Sequence, residues 1–114
     1  MLHAPFRVVV MGVSGCGKST LGRLLAARLS VPFVEGDDLH SVANVAKMAA
    51  GQPLTDEDRA GWLQALSHRL HQAMKHDQGL VVACSALKKS YRDLLRQGAA
   101  DVLFVHVQGS PEVL

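Results

Sequence analysis

The sequence predicts an α/β protein built on a mostly parallel sheet with helices on both faces, and three observations carry that expectation. Short β-branched apolar runs alternate with segments whose apolar residues recur at helical spacing. A glycine-rich stretch follows the first run immediately. Acidic residues stand at the end of the second run, and parallel sheets bind ligands at the carboxyl ends of their strands.

Arg7 to Met11 (RVVVM) ends at glycine and predicts a buried strand feeding a turn. From Lys18, the residues Leu21, Leu24, Leu25 and Leu29 form the apolar stripe of a helix that Pro32 stops. Phe33 to Glu35 is the second strand, and Gly36-Asp37-Asp38 predicts a loop carrying carboxylates. Asn44 to Gly51 predicts a short helix closed by its glycine, with Pro53 beyond. Thr55 to Asp58 is a capping box with Asp in place of the usual Glu or Gln. It opens the longest helix, expected to reach about His76, with Trp62, Leu63, Leu66, Leu70, Ala73 and Met74 as its core stripe. Gly79 leads into a third strand over Leu80 to Cys84. Ser85 then caps a helix with inward Leu87, Tyr91, Leu94 and Leu95, ended by Gly98. Val102 to Val107 is the fourth strand. Ser110, Pro111 and Glu112 suit the cap and first turn of another helix, which Leu114 barely enters, so residues 1–114 are expected to form a single domain incomplete at its C-terminus.

The 114 residues, 48% of them hydrophobic, suffice for one modest core. A net charge of +2 without any Lys/Arg block gives no reason to expect a nucleic-acid partner and suits small anionic ligands. Cys16 and Cys84 lack metal or redox spacing, and no secretory signal precedes them, so a reducing cytoplasm is expected. No apolar run approaches the roughly 18 residues of a membrane span. His68 and His71 lie three apart on a helix without further ligands, which argues against a protein metal site.

Gly12 to Ser19 (GVSGCGKS) fits G-x-x-x-x-G-K-[ST] between a predicted strand and a predicted helix. Gly12, Val13, Ser14, Gly15, Cys16, Gly17, Lys18, Ser19 and Thr20 are therefore expected to wrap phosphate oxygens with backbone N–H groups at a helix N-terminus. In such a loop Lys18 reaches the β- and γ-phosphates and Ser19 offers its hydroxyl to Mg²⁺. Cys16, at a wildcard position, reads as an inert loop residue rather than a redox centre. Phosphoryl transfer also needs a group that orients the acceptor hydroxyl, and Asp37 at the neighbouring strand end is the candidate. Glu35 and Asp38 flank it; one could hold Mg²⁺ through water, or each is a solvated carboxylate. Lys88 and Arg92, four apart, either meet an anionic substrate or form a solvated basic face. Arg59 is a carboxylate clamp if it faces the cleft and a surface charge if it does not.

Three stretches together, GVSGCGKSTLG, EGDDLHSVANVAKMAAGQPLTDEDRAGWL and ACSALKKSYRDLLR, resemble the bacterial gluconokinases, P-loop sugar-acid kinases related in fold to shikimate kinases. The resemblance covers nearly the whole chain. It implies a P-loop NTPase fold with strand order 2-3-1-4 and a fifth strand, and ATP- and Mg²⁺-dependent phosphorylation of D-gluconate to 6-phospho-D-gluconate. It places Asp37 beside the acceptor hydroxyl and His40, Asn44 and Lys47 in a substrate-covering segment, and it favours Arg59, Lys88 and Arg92 as contacts to carboxylate or phosphates. Ser41 departs from the proline usual after the histidine. The lid arginines, last strand and adenine loop of the family have no counterpart in the sequence, so an impaired nucleotide-binding fragment is the alternative, and a shikimate kinase-like activity the rival substrate reading. Absence of the fifth strand would leave Val102 to Val107 as an edge open to homodimer formation. No NKxD or LSGGQ motif supports a switch or transport ATPase.

Overall fold

Alternation along β1 (Arg7–Met11) sets the layers: Val8 and Val10 point to one face of the sheet and Val9 to the other. This computed structural model describes residues 6–12, 17–84 and 88–107. After β1 come α1 (Lys18–Leu29), β2 (Phe33–Glu35), a 3-10 turn (Gly36–Leu39), α2 (Val42–Ala49), α3 (Asp56–Lys75), β3 (Leu80–Cys84), α4 (Lys89–Gly98) and β4 (Leu103–His106). The strands form one parallel sheet in the order β2-β3-β1-β4, as the resemblance implied. β1 and β3 are central and buried on both faces, which is why both are continuous apolar runs.

One face is covered by α3 and α4, whose Trp62, Leu63, Leu66, Leu70, Ala73, Tyr91 and Leu95 pack on Val9, Leu80, Val82 and Cys84. The other is covered by α1, where Ala26, with Leu25 and Leu29, packs against Val8, Val10 and Val81. The expected stripe of α1 needs correction. Leu21 and Leu24 are exposed, and the face turned to the sheet is Lys18, Gly22 and Ala26. The close approach selects the small residues: a Cβ on Gly22 would stand 2.6 Å from the Phe33 ring. On the opposite face Gly98 plays the same part, since a Cβ there would stand 2.3 Å from the Ser67 carbonyl oxygen. Gly98 therefore lets α4 lie against α3 rather than merely ending its helix.

Other expectations shift in detail. Gly36 to Leu39 is a 3-10 turn rather than an open loop. α2 starts at Val42, because the Ser41 hydroxyl caps it by accepting from the Asn44 N–H. Met74 is exposed, lying one position off the buried Leu66, Leu70 and Ala73 row. The Thr55–Asp58 capping box forms with both reciprocal bonds, Asp58 N–H to Thr55 Oγ1 at 3.1 Å and Thr55 N–H to Asp58 Oδ2 at 2.9 Å. The predicted cap at Ser85, the inward Leu87 and the helix start at Ser110 to Glu112 lie outside the described residues. Among the described residues no helix is long and apolar enough to cross a membrane.

Candidate active site

The carboxyl ends of β1 and β2 and the N-terminus of α1 converge on one patch of chemistry. Gly17 precedes α1 with φ of 89°, a left-handed conformation that glycine adopts without strain. Gly12 is buried at the end of β1, while Val13, Ser14, Gly15 and Cys16 lie outside the described residues. Lys18 is 6% exposed, and its nearest ion-pair partner, Asp37 Oδ2, is 4.0 Å from Nζ, at the limit of a salt bridge. Thr20 is exposed in the first turn of α1.

Beside Lys18, the Ser19 hydroxyl donates to Glu35 Oε2 at the end of β2. The other oxygen of that carboxylate, Oε1, is buried with no hydrogen-bond partner. A hydroxyl and an under-satisfied carboxylate are hard oxygen donors, the kind of set Mg²⁺ takes while keeping most of its water. No group of three His, Cys, Asp or Glu among the described residues forms an all-protein metal cage. A cation here would depend on phosphate and water for its remaining positions.

Asp37 sits in the 3-10 turn, half-buried. Burial raises its carboxyl above the ordinary range; Lys18 opposes the rise, Glu35 adds to it, His40 opposes it and Asp38 adds to it. A carboxylate with a raised pKa is better suited to accept a proton than an ordinary surface Asp. Asp38 is exposed on the same turn.

His40 closes the turn. Burial lowers its imidazole below the ordinary value, with Asp37 raising it and Arg59 lowering it further. Its tautomer follows from Asn44, which is 4% exposed. Asn44 Nδ2 lies 2.7 Å from the Asp58 carbonyl oxygen, which can only accept, so Nδ2 donates there and its second hydrogen faces His40 Nδ1 at 3.2 Å. The neutral His40 therefore carries its proton on Nε2.

Lys47, expected in the substrate-covering segment, donates to Asp58 Oδ2 at 2.7 Å and ties α2 to the capping box of α3. Lys88 donates to both oxygens of Asp56 at 2.9 and 3.2 Å, and the Tyr91 hydroxyl donates to Asp56 Oδ1 at 2.5 Å. Arg59 Nη1 in turn donates to the Tyr91 oxygen at 3.3 Å. Arg92 is half-buried on α4. A cavity of about 270 Å³ opens between Asp37, His40 and Arg59, with Gln52, Met48, Pro53 and Leu54 completing its wall. Of the expected substrate cations, Arg59 lines this cavity; Lys47 and Lys88 are held by neighbouring carboxylates. A larger cavity, about 550 Å³, lies among Phe6, Leu29, Val31 and Gly79 near the amino end of β1. Among its described lining residues Arg28 is the one that carries a charge, and none belongs to the described part of the phosphate-binding pattern.

Sequence reasoning missed Trp62, Tyr91 and Asp56 as parts of this site. The first two look like core because their spacing puts them on apolar stripes. Trp62 Nε1 donates to the Gly36 carbonyl at 2.7 Å, and its ring stacks on His40 with centroids 4.3 Å apart. A usable signal was its place three residues after Arg59, one helical turn along the same face.

The shikimate kinase family model matches residues 14–114, nearly all of the sequence following the first strand. The chain belongs to the shikimate kinase family. Within that kinase family it is a homologue of the gluconokinases. It is 52% identical to the gluconokinase of Gluconobacter oxydans over 93% of this chain and 60% of the relative. The crystal structure of a gluconokinase from Sinorhizobium meliloti superposes with a TM-score of 0.86 at 49% identity, covering 96% of this chain and 61% of that one. A sugar kinase structure from a Janibacter species gives a TM-score of 0.87 at 45% identity, over 96% of this chain and 64% of that one. The chain spans 57 to 61% of the length of three bacterial curated relatives it matches.

Proposed function

We propose that this protein transfers the γ-phosphoryl group of ATP to the terminal hydroxyl of D-gluconate, giving ADP and 6-phospho-D-gluconate. The observation that carries the reading is the placement of Asp37 beside the buried Lys18 ammonium and in the lining of a cavity that Arg59 also lines. Gly12 to Thr20 would hold the ATP phosphates, Ser19 would bind Mg²⁺ directly, and Glu35 would reach it through water. MgATP supplies the transferable group with much of its charge neutralised. Lys18 draws the β- and γ-phosphate oxygens into register, Asp37 orients the acceptor hydroxyl and takes its proton, and Arg59 grips the carboxylate at the other end of the sugar acid. Asn44 holds His40 with Nε2–H as a donor to the acceptor. Lys88 acts through Asp56 and Tyr91 to fix Arg59, and Arg92 remains a candidate for the phosphates.

All described strands belong to one sheet, which supports reading residues 1–114 as part of a single kinase domain. A cytoplasmic location fits a reaction that draws on ATP. The exposed Leu103 and Val105 on the β4 edge are where a homodimer would form. Nothing in the site calls for nucleic acid or a membrane. ADP release measured with gluconate, shikimate, adenylylsulfate or no acceptor tests the reading. Stimulation by gluconate alone is expected; stimulation by shikimate and not gluconate, or none by any acceptor, overturns it.

A further inference from the structure

Asp37 and His40 lie on one short 3-10 turn, and a turn of four residues has little internal hydrogen bonding to fix where its side chains point. The bond that closes its exit is long, His40 N–H to the Asp37 carbonyl at 3.4 Å. One side chain braces the turn from outside at both ends. Trp62, 2% exposed on α3, donates Nε1–H to the carbonyl of Gly36 at 2.7 Å, immediately before Asp37. The same indole lies nearly parallel to the His40 ring, with centroids 4.3 Å apart and an interplanar angle of 16°, immediately after the turn.

We infer that Trp62 is a positioning residue for phosphoryl transfer: one indole clamps the entry and exit of the turn that aims Asp37 at the acceptor hydroxyl. The proposal rests on the kinase reading above and adds to it a residue that contacts neither phosphate nor acceptor. Core packing alone does not require the arrangement. Leu70, two turns along the same helix and fully buried, fills the same apolar layer without a polar contact to the turn. An indole N–H spent on a backbone carbonyl in a buried setting is strong and directional, and a misplacement of the carboxylate by about 1 Å is enough to cost roughly 10²-fold in rate. α3 carries Arg59 one helical turn before Trp62, so the same helix would set both the proton acceptor and the carboxylate grip.

The test compares Trp62→Phe, which keeps a buried ring and loses the N–H, with Leu70→Ala as the packing control, both in the complete protein. With Trp62→Phe, kcat for gluconate is expected to fall ten-fold or more, while the Kd for an ATP analogue stays within two-fold. Leu70→Ala is expected to lower the melting temperature at least as much and to leave kcat within two-fold at a temperature where it is folded. A readout independent of turnover is the NMR behaviour of the turn. Amide order parameters of residues 37–40 are expected to drop in Trp62→Phe and not in Leu70→Ala. In Trp62→Ala, which also uncovers His40, the imidazole titration is expected to move up towards the ordinary value, with Asp37, Arg59 and Asn44 still facing it. Unchanged order parameters in Trp62→Phe, or a kcat loss no greater than that of Leu70→Ala, would overturn the inference. Absence of any gluconate turnover in the unsubstituted protein would instead overturn the kinase reading and leave the NMR comparison to decide the clamp.

Discussion

Two buried cations, Arg7 and Lys18, are held in opposite ways. Arg7, at the amino end of β1, is 7% exposed and hydrogen-bonded from all three of its side-chain nitrogens. Its fork meets Asp101 through Nη2 to Oδ2 at 2.6 Å and Nε to Oδ1 at 3.2 Å, and Nη1 donates to the Gln78 carbonyl at 2.9 Å. Lys18, beyond the carboxyl end of the same strand, is as deeply buried and has its nearest carboxylate at 4.0 Å. Burying a charge is costly unless partners compensate. Arg7 is compensated within the protein and closes that end of the sheet. Among the described residues Lys18 has only this distant carboxylate as an ion-pair partner, near the unpartnered Glu35 Oε1, and that end suits a bound phosphate with its cation.

Substitutions at the two ends should therefore separate function from stability. The largest effect is expected from Asp37→Asn, which removes the proposed proton acceptor: kcat falls by about 10² to 10⁴ while ATP affinity and melting temperature are kept, as kinetics and calorimetry would read. Lys18→Ala comes next, weakening ATP binding by about 10²-fold or more in a titration, again without loss of fold. At the other end Asp101→Ala leaves the Arg7 guanidinium with one carbonyl partner. Chemical denaturation should record a loss of about 1–3 kcal/mol, at the low side because the Asp101 side chain is 60% exposed, and nucleotide affinity should not change. Gly98→Ala tests the frame between them. The 2.3 Å approach to Ser67 forces α4 off α3 at a cost of about 1–3 kcal/mol, read from the denaturation midpoint.

Acidification should act on the two ends with opposite sign. Arg7 holds the Asp101 carboxyl below its ordinary range, so its contribution is present above the unfolded-state pKa and is lost as pH falls through the depressed folded value. Burial holds Asp37 above its ordinary range, so its ionised form costs stability at neutral pH, and that cost is relieved as pH falls through the raised value. Activity should consequently fail at a higher pH than stability. Asp37→Asn should remove the relief on acidification while leaving the Asp101-dependent loss, which paired pH–rate and pH–melting profiles would resolve.

How much of this was legible beforehand depended on range. β1, β2 and β3 were readable because short apolar runs end at Gly12, Gly36 or Cys84, and the start of α3 because Thr55 and Asp58 carry a local capping signature. Phosphate binding by Lys18 was expected from spacing alone, and Asp37 from its place at a strand end. The Arg7–Asp101 pair was not legible: its partners are 94 residues apart, and Arg7 looks like an ordinary strand start. Nor was the tie between Trp62 and Gly36 across 26 positions, because helical periodicity marks a tryptophan as core whether or not its N–H has work to do. Leu21 and Leu24 were misassigned for a related reason. Spacing counts leucines, but the contact between α1 and the sheet is so close that Gly22 and Ala26 take the inner face.

The most direct test of the central claim is ³¹P NMR of the complete protein incubated with ATP, Mg²⁺ and gluconate. The account predicts a new phosphomonoester signal that grows with ADP, needs gluconate and is lost in Asp37→Asn. Growth of inorganic phosphate in its place, or an undiminished phosphomonoester signal in Asp37→Asn, would contradict it.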